Sequence, residues 1–266
     1  MNIAALQMVS TPDVLENIET ARGLIQQAVG QGATMILLPE YWAIMGMKEQ
    51  DKVACAELPG TGIIQDFMSE MARYHQIWLM GGTIPMQSTV PEKIFNTVLV
   101  YGPDGQLRTR YDKIHLFGFT RGTESYDESQ TIEPGQEVVT FDAPIGRVGL
   151  SVCYDVRFPE LYRSMGSCTL MVVPAAFTYT TGQAHWELLL RARAVENQCY
   201  VLAAAQGGQH QNGRRTWGHS MLVDPWGKIN SVLPEGEGVI TGKIDVEYVR
   251  SIRESLPALT HRRTTG

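Results

Sequence analysis

The chain has 266 residues, 44% of them hydrophobic and 19% charged, with a formal net charge of −6 at pH 7. A chain of this length hides roughly three quarters of its unfolded surface, and the composition excludes a disordered or fibrous protein. The acidic balance, with no basic run or aromatic–basic stripe, argues against nucleic acid and leaves a small molecule as the expected partner.

Taken in chain order, hydrophobic periodicity and turn signals predict alternating strands and helices. Residues 3–8 form a strand without the basic flank and cleavage pattern of a signal peptide, and 13–29 form a helix with Leu15, Ile18, Ala21, Leu24, Ile25 and Ala28 on one face. A short buried strand at 35–38 runs into Pro39-Glu40, a helix follows at 62–74, and strands follow at 77–84 and 97–101. Gly-Pro-Asp-Gly at 102–105 turns the chain into a further strand, 106–115. The second half predicts strands near 138–141, 147–152, 170–173, 200–205, 220–223 and 239–244, with helices near 159–164, 184–196 and 246–253. Two sheets packed face to face and covered by helices satisfy this count. No linker, low-complexity tract or convincing repeat divides the chain, so one domain over 1–266 is expected. No apolar stretch reaches membrane-spanning length, and four scattered cysteines (55, 153, 168, 199) fit a reducing compartment, so a cytoplasmic protein with no membrane contact is expected.

Three polar residues stand where strands end. Glu40 follows Met-Ile-Leu-Leu-Pro, at the exit of a buried strand, where α/β proteins commonly build sites. In Leu-Arg-Thr-Arg-Tyr-Asp-Lys (107–113), alternation puts Leu107, Thr109, Tyr111 and Lys113 on the less polar face, although a lysine blunting an edge strand is the ordinary alternative. Cys153, in Gly-Leu-Ser-Val-Cys-Tyr-Asp-Val-Arg-Phe-Pro-Glu (149–160), falls in the elbow between an apolar strand and a helix opened by Pro159. A helix N-terminus favours a thiolate and an oxyanion, whereas a buried, inert thiol is the commoner use of a cysteine. Amide or nitrile hydrolysis by a thiol needs a base, a nucleophile and a donor-rich pocket, and Glu40, Cys153 and Lys113, the last with the Tyr154 N–H, can supply them. Spacing alone does not identify such a set.

Pro-Glu-Tyr (39–41), Arg-Tyr-Asp-Lys-Ile-His-Leu (110–116) and the segment around Cys153 resemble, in order and separation, the three signature segments of the nitrilase (carbon–nitrogen hydrolase) superfamily. The resemblance covers essentially the whole chain. It implies a four-layer αββα sandwich, a catalytic set at Glu40, Lys113 and Cys153, and a supporting glutamate at Glu128. It also implies a homodimer or higher even oligomer, with a C-terminal tail of about 246–266 in its contacts.

Downstream, residues 182–206, 218–227 and 256–263 resemble the branch that holds deaminated glutathione amidases and ω-amidases, the former more closely. That implies a carboxylate-bearing 2-oxo acid amide as substrate, a Cys153 thioester and release of ammonia. An ω-amidase acting on 2-oxoglutaramate, a nitrilase and an inactive scaffold of the same fold are the alternatives. Arg157, Tyr179, Thr180 and the loop 206–216 with Arg214 and Arg215 are the candidates for binding the substrate's carboxylates, while Arg191 and Arg193 suit an interface helix. A Cys–His mechanism with His115, His185 or His219 as base is the competing chemistry. Zinc-ligand spacing and nucleotide-binding glycine motifs are absent from the sequence, so no metal or cofactor is expected.

Overall fold

Alternation along the first strand, β1 (Asn2–Gln7), sets the layering in the computed structural model, which describes residues 1–122 and 124–263. Ala4 and Leu6 join Ile36, Leu38 and Leu79 in a core shared with Ile18, Ala21, Ile25 and Ala28 of α1 (Val14–Gly30) and with Phe67, Met68 and Met71 of α3 (Ile63–His75). Ile3 and Ala5 point the other way, into a second core with Val148, Leu150, Val172 and Leu202 of a second sheet. That core continues to Trp186, Leu190 and Ala194 of α5 (Tyr179–Asn197). The period of two therefore gives a helix–sheet–sheet–helix stack, the expected αββα sandwich. Asp13 starts α1 by accepting the N–H groups of Leu15 and Glu16 at 2.8 and 3.1 Å, a cap worth ~1 kcal/mol.

The first sheet runs β15 (Gly238–Lys243), β1, β2 (Met35–Leu37), β3 (Trp78–Met80), β5 (Ile94–Tyr101) and β4 (Ile84–Gln87), with β6 (Leu107–Asp112) also on β5. The second runs β14 (Ile229–Leu233), β13 (Ser220–Val223), β12 (Tyr200–Ala205), β11 (Leu170–Ala175), β10 (Gly146–Leu150) and β9 (Thr140–Ala143). In each sheet three neighbours are parallel, β1–β2–β3 and β10–β11–β12. Glu40, Cys153, Ala176 and Gln206 all lie just beyond the carboxyl ends of these parallel strands. Open α/β sheets bind ligands at such ends.

Several boundaries differ from the sequence reading for local reasons. Residues 77–84 split into β3 and β4, because Gly82 turns between them at φ +52° and a Cβ there would lie 2.0 Å from the Pro39 carbonyl oxygen. The strand expected near 138–141 lies at β9, and α5 begins at Tyr179 rather than at 184. Three short elements went unread: the polar helix α2 (Glu49–Ala54), the hairpin β7 (Gly118–Arg121) with β8 (Glu124–Asp127), and β14, whose five residues are too few to set a period apart. The helices α4 (Pro159–Ser164) and α6 (Val246–Ser255) fall where expected. Among the described residues no helix is long and apolar enough to cross a membrane. Residues 264–266, the end of the tail expected in dimer contacts, lie outside the described residues.

Candidate active site

A buried carboxylate–ammonium–carboxylate chain meets the thiol between the two sheets. Lys113 follows β6, fully buried rather than blunting an edge, and its backbone is fixed by Lys113 N–H to Asn96 O at 3.0 Å and Gly135 N–H to Lys113 O at 2.9 Å. Its ammonium donates to Glu40 Oε1 at 2.9 Å and to Glu128 Oε1 and Oε2 at 3.0 and 2.7 Å. Glu40 also accepts Asn96 Nδ2 on Oε1 at 2.9 Å and the Ala176 N–H on Oε2 at 2.7 Å. The Cys153 thiol lies close enough to the Glu40 carboxylate to feel its charge. Glu128 further accepts the Tyr41 hydroxyl and the Phe117 N–H, each at 2.8 Å.

Burial and charge tune these groups against one another. Burial opposes the Lys113 charge, but Glu128 and Glu40 outweigh it and hold the ammonium well above the ordinary lysine range. Burial pushes the Glu128 carboxyl up, while Lys113 and the Phe117 N–H more than reverse this and leave it below the usual range. For Cys153 burial comes first and the Glu40 charge second, and together they raise the thiol far above its usual value despite Lys113. A helix end does not make a resting thiolate here, contrary to the sequence expectation. Cys153 therefore rests as a thiol beside the Glu40 carboxylate.

The elbow itself is strained. Cys153 opens a 3-10 turn (Cys153–Arg157) at φ +48°, and Tyr41, next to Glu40, sits at φ +56°. Left-handed backbone costs a non-glycine residue about 1–2 kcal/mol and persists only where the surroundings fix it. Asp155 does that fixing. Its fully buried carboxylate accepts the Val152 N–H at 2.8 Å and the Tyr111 hydroxyl at 2.7 Å on Oδ2. On Oδ1 it takes the His115 N–H at 3.0 Å and His115 Nδ1 at 2.7 Å. Tyr111 and His115 flank Lys113 in sequence and Val152 precedes Cys153, so one carboxylate joins the lysine segment to the cysteine elbow. Gln206 adds a second tie, donating to Glu40 O at 3.0 Å and Ser10 Oγ at 2.7 Å.

Cys153 lies on the wall of a narrow pocket formed with Phe117, Glu128, Tyr154, Ala176, Phe177, Thr178, Thr181 and Arg214. A neighbouring cleft of about 180 Å³, lined by Tyr41, Glu49, Lys52, Tyr126, Asp127 and Gln130 among others, shares Phe117, Glu128 and Arg214 with it. The structure thus brings Glu40, Lys113, Cys153, Glu128 and Tyr154 together. It does not bring Tyr179 and Thr180 to the pocket wall, which takes Thr178 and Thr181 from the same turn; Tyr179 packs against Trp217 and under Arg215. The Arg157 guanidinium lies over the rings of Tyr154 and Phe177, near His185 Nδ1, outside the wall. None of the histidines considered as base reaches the pocket: His115 is bonded to Asp155, His185 faces Arg157, and His219 stacks on Trp217. Arg193 is buried against Tyr162 and the Val156 carbonyl, a structural role. Asn96, Thr178 and Thr181 were missed in the sequence, having no motif of their own, and Tyr41 and Asp155 stand inside the quoted segments without having been given a role. Among the described residues no cluster of His, Cys, Asp and Glu could hold a metal ion.

Two mixed sheets between helices, with a thiol, a carboxylate and an ammonium converging at their strand ends, define a class of hydrolases that attack carbon–nitrogen bonds. The family model for carbon–nitrogen hydrolases matches residues 2–254, and the chain belongs to that family. It is 40% identical to a deaminated glutathione amidase of Yersinia enterocolitica over 98% of this chain and 93% of that one. It is 39% identical to the omega-amidase NIT2 of Homo sapiens over 98% and 95%. The solved structure of the C. elegans NitFhit protein superposes with a TM-score of 0.90 at 40% identity, over 98% of this chain. The chain spans 65% of that protein's length.

Proposed function

We propose that the protein is a thiol amidase acting on a carboxylate-bearing 2-oxo acid amide, with deaminated glutathione as its first substrate. The observation that carries this reading is that the buried Glu40 carboxylate accepts the Lys113 ammonium at 2.9 Å and lies beside the Cys153 thiol, away from water. The names of relatives about 40% identical over nearly the full chain support the substrate class.

In this reading Glu40 takes the Sγ proton as sulfur bonds the amide carbon, and the carbonyl π pair moves to oxygen. Lys113 and the Tyr154 N–H stabilise that oxyanion, and Glu128 holds Lys113 in place. As the carbonyl re-forms, the C–N bond breaks and the nitrogen leaves with the proton held by Glu40, giving a thioester. A water deprotonated by Glu40 then attacks the thioester, and sulfur recovers a proton as the acid departs. With a primary amide the departing amine is ammonia. In deaminated glutathione the amide nitrogen belongs to cysteinylglycine, so that dipeptide leaves instead.

The test is product release from deaminated glutathione, 2-oxoglutaramate, simple amides and nitriles, with Cys153→Ala as control. Highest kcat/KM on deaminated glutathione, lost in the control, is expected. Preference for 2-oxoglutaramate makes the protein an ω-amidase, preference for nitriles a nitrilase, and no turnover a scaffold. The reading includes a cytoplasmic single-domain protein, supported by four free cysteines. It also includes a homodimer or higher even oligomer formed through α5 and the C-terminal tail. Exposed Leu188, Val195 and Trp226 support that surface, and light scattering tests it.

A further inference from the structure

We propose that Arg214 is the carboxylate anchor of this pocket, its unpartnered Nε–H edge pairing with the carboxylate of the 2-oxo acid. The proposal rests on the amidase reading and adds the group that selects anionic substrates.

Arg214 stands on the loop between β12 and β13 and is held rigidly there. Its N–H donates to Asn212 Oδ1 at 2.9 Å, its carbonyl accepts the His210 N–H at 2.9 Å, and its guanidinium lies 5.3 Å from the Tyr126 ring centroid. Nη2 donates to the Ala176 carbonyl at 2.8 Å, and the Ala176 N–H in turn binds Glu40. The guanidinium is thus tied to the residue whose N–H also holds the proposed base. Nε is shielded from solvent and has no hydrogen-bond partner. Arg214 makes no ion pair among the described residues, unlike its neighbour Arg215, which meets Glu235 at 2.9 Å.

The other cations near the pocket are occupied. Lys113 lies between Glu40 and Glu128; Lys52 is bonded to Glu49 at 2.6 Å and lies over the Tyr41 ring. Arg157 lies outside the wall. The acids of the cleft are occupied too: Glu128 by Lys113, Asp127 by Ser129 and Gln130, and Glu49 by Lys52. An incoming carboxylate therefore finds in Arg214 Nε a cationic donor with no acceptor of its own, on the wall shared by the pocket and the cleft. Burial opposes the Arg214 charge, but Tyr41, Glu40 and Glu128 outweigh it, so the group stays charged until the substrate arrives. A shielded guanidinium donor without an acceptor is costly in the free protein, and a carboxylate removes that cost on binding. A neutral amide of the same length does not.

The experiment compares 2-oxoglutaramate with 4-oxopentanamide, which keeps the chain and the oxo group but lacks the carboxylate. In Arg214→Met the ratio of kcat/KM for the first over the second is expected to fall about 100-fold. Arg214→Lys, which keeps the charge and protects the fold, is expected to lower that ratio at least about 10-fold, because an ammonium does not reproduce the planar fork. An unchanged ratio in both variants overturns the proposal, even where both rates drop together. Binding is read separately by titrating 2-oxoglutaramate into Cys153→Ala protein, where adding Arg214→Met is expected to weaken Kd by a similar factor. Arg214-dependent binding to a protein whose wild type turns over neither these amides nor deaminated glutathione removes the amidase reading and keeps the anchor. Turnover and binding that both ignore Arg214 remove the anchor and keep the amidase.

Discussion

Asp155→Asn is the most informative perturbation of the site that leaves the proposed reacting groups intact. The aspartate accepts four donors, two per oxygen, and each pair contains one backbone N–H, from Val152 on Oδ2 and from His115 on Oδ1. An asparagine has one oxygen and one NH2, so either orientation sets its NH2 against one of those N–H groups. The Tyr111 hydroxyl can rotate to accept, but a backbone N–H cannot. One buried donor is left unsatisfied at a cost of about 1–3 kcal/mol, and the remaining bonds lose the carboxylate's charge. The Val152 and His115 N–H groups adjoin the Cys153 and Lys113 segments, so whichever is released moves one proposed reacting group against the other. A displacement of about 1 Å can lower turnover 100-fold. Urea denaturation read beside kcat/KM checks this: a loss of about 1–3 kcal/mol with a drop of about 10²-fold in turnover is expected, and Asp155→Glu is not expected to restore it. Stability and turnover both within twofold of wild type would refute the clamp.

Glu40→Gln is expected to lower kcat by about 10³-fold or more, and His185→Gln to leave it within a few-fold; the reverse pattern in steady-state kinetics moves the base to histidine. The same Glu40→Gln change removes the charge that, after burial, most raises the Cys153 thiol, so the pH midpoint of iodoacetamide labelling at Cys153 is expected to shift downwards. A midpoint that stays put or rises contradicts the site electrostatics. The fold is expected to be weaker in alkali than near neutrality. Lys113 is raised, and so are the thiol of Cys168, to about 11, and the buried Cys199 and Tyr162, so their protonated forms stabilise the fold below their unfolded pKa values. That stabilisation fades from pH about 9 upward as the unfolded state gives up its protons first. Thermal melts at pH 8 and 10.5 read the difference, and equal melting temperatures count against it.

The sequence disclosed the layers because buried strands advertise themselves. Tyr200–Ala205 and Ser220–Val223 are short apolar runs between turn signals, and both lie at the residues read for them. The start of α5 was hidden because Tyr179, Thr180 and Thr181 suit strands as well as helices, and Gly182 lies where a Cβ would come 2.3 Å from Trp217, a contact with no local signal. The alternation from 107 to 113 located Lys113 on the face of Tyr111 but not its depth, which β5 and the Gly135 contact provide. Glu40, Lys113, Glu128 and Cys153 were legible through motif resemblance. Their partners Asn96, Phe117 and Ala176 come from other segments, and Tyr41, although next to Glu40, bonds Glu128; these contacts form only once the chain has folded. Thr178 and Thr181, rather than Tyr179 and Thr180, face the pocket because the helical turn decides direction, and direction is not written in residue type.

Glu40 and Lys113 follow strands of one sheet, Cys153 and Ala176 strands of the other, with Asp155 and Gln206 as the cross-ties. Turnover is therefore a vernier on the seam between two slabs. A small slip along that seam, too slight to alter circular dichroism, already pulls sulfur from carboxylate, so on warming enzymatic activity is expected to fade several degrees before the ellipticity does.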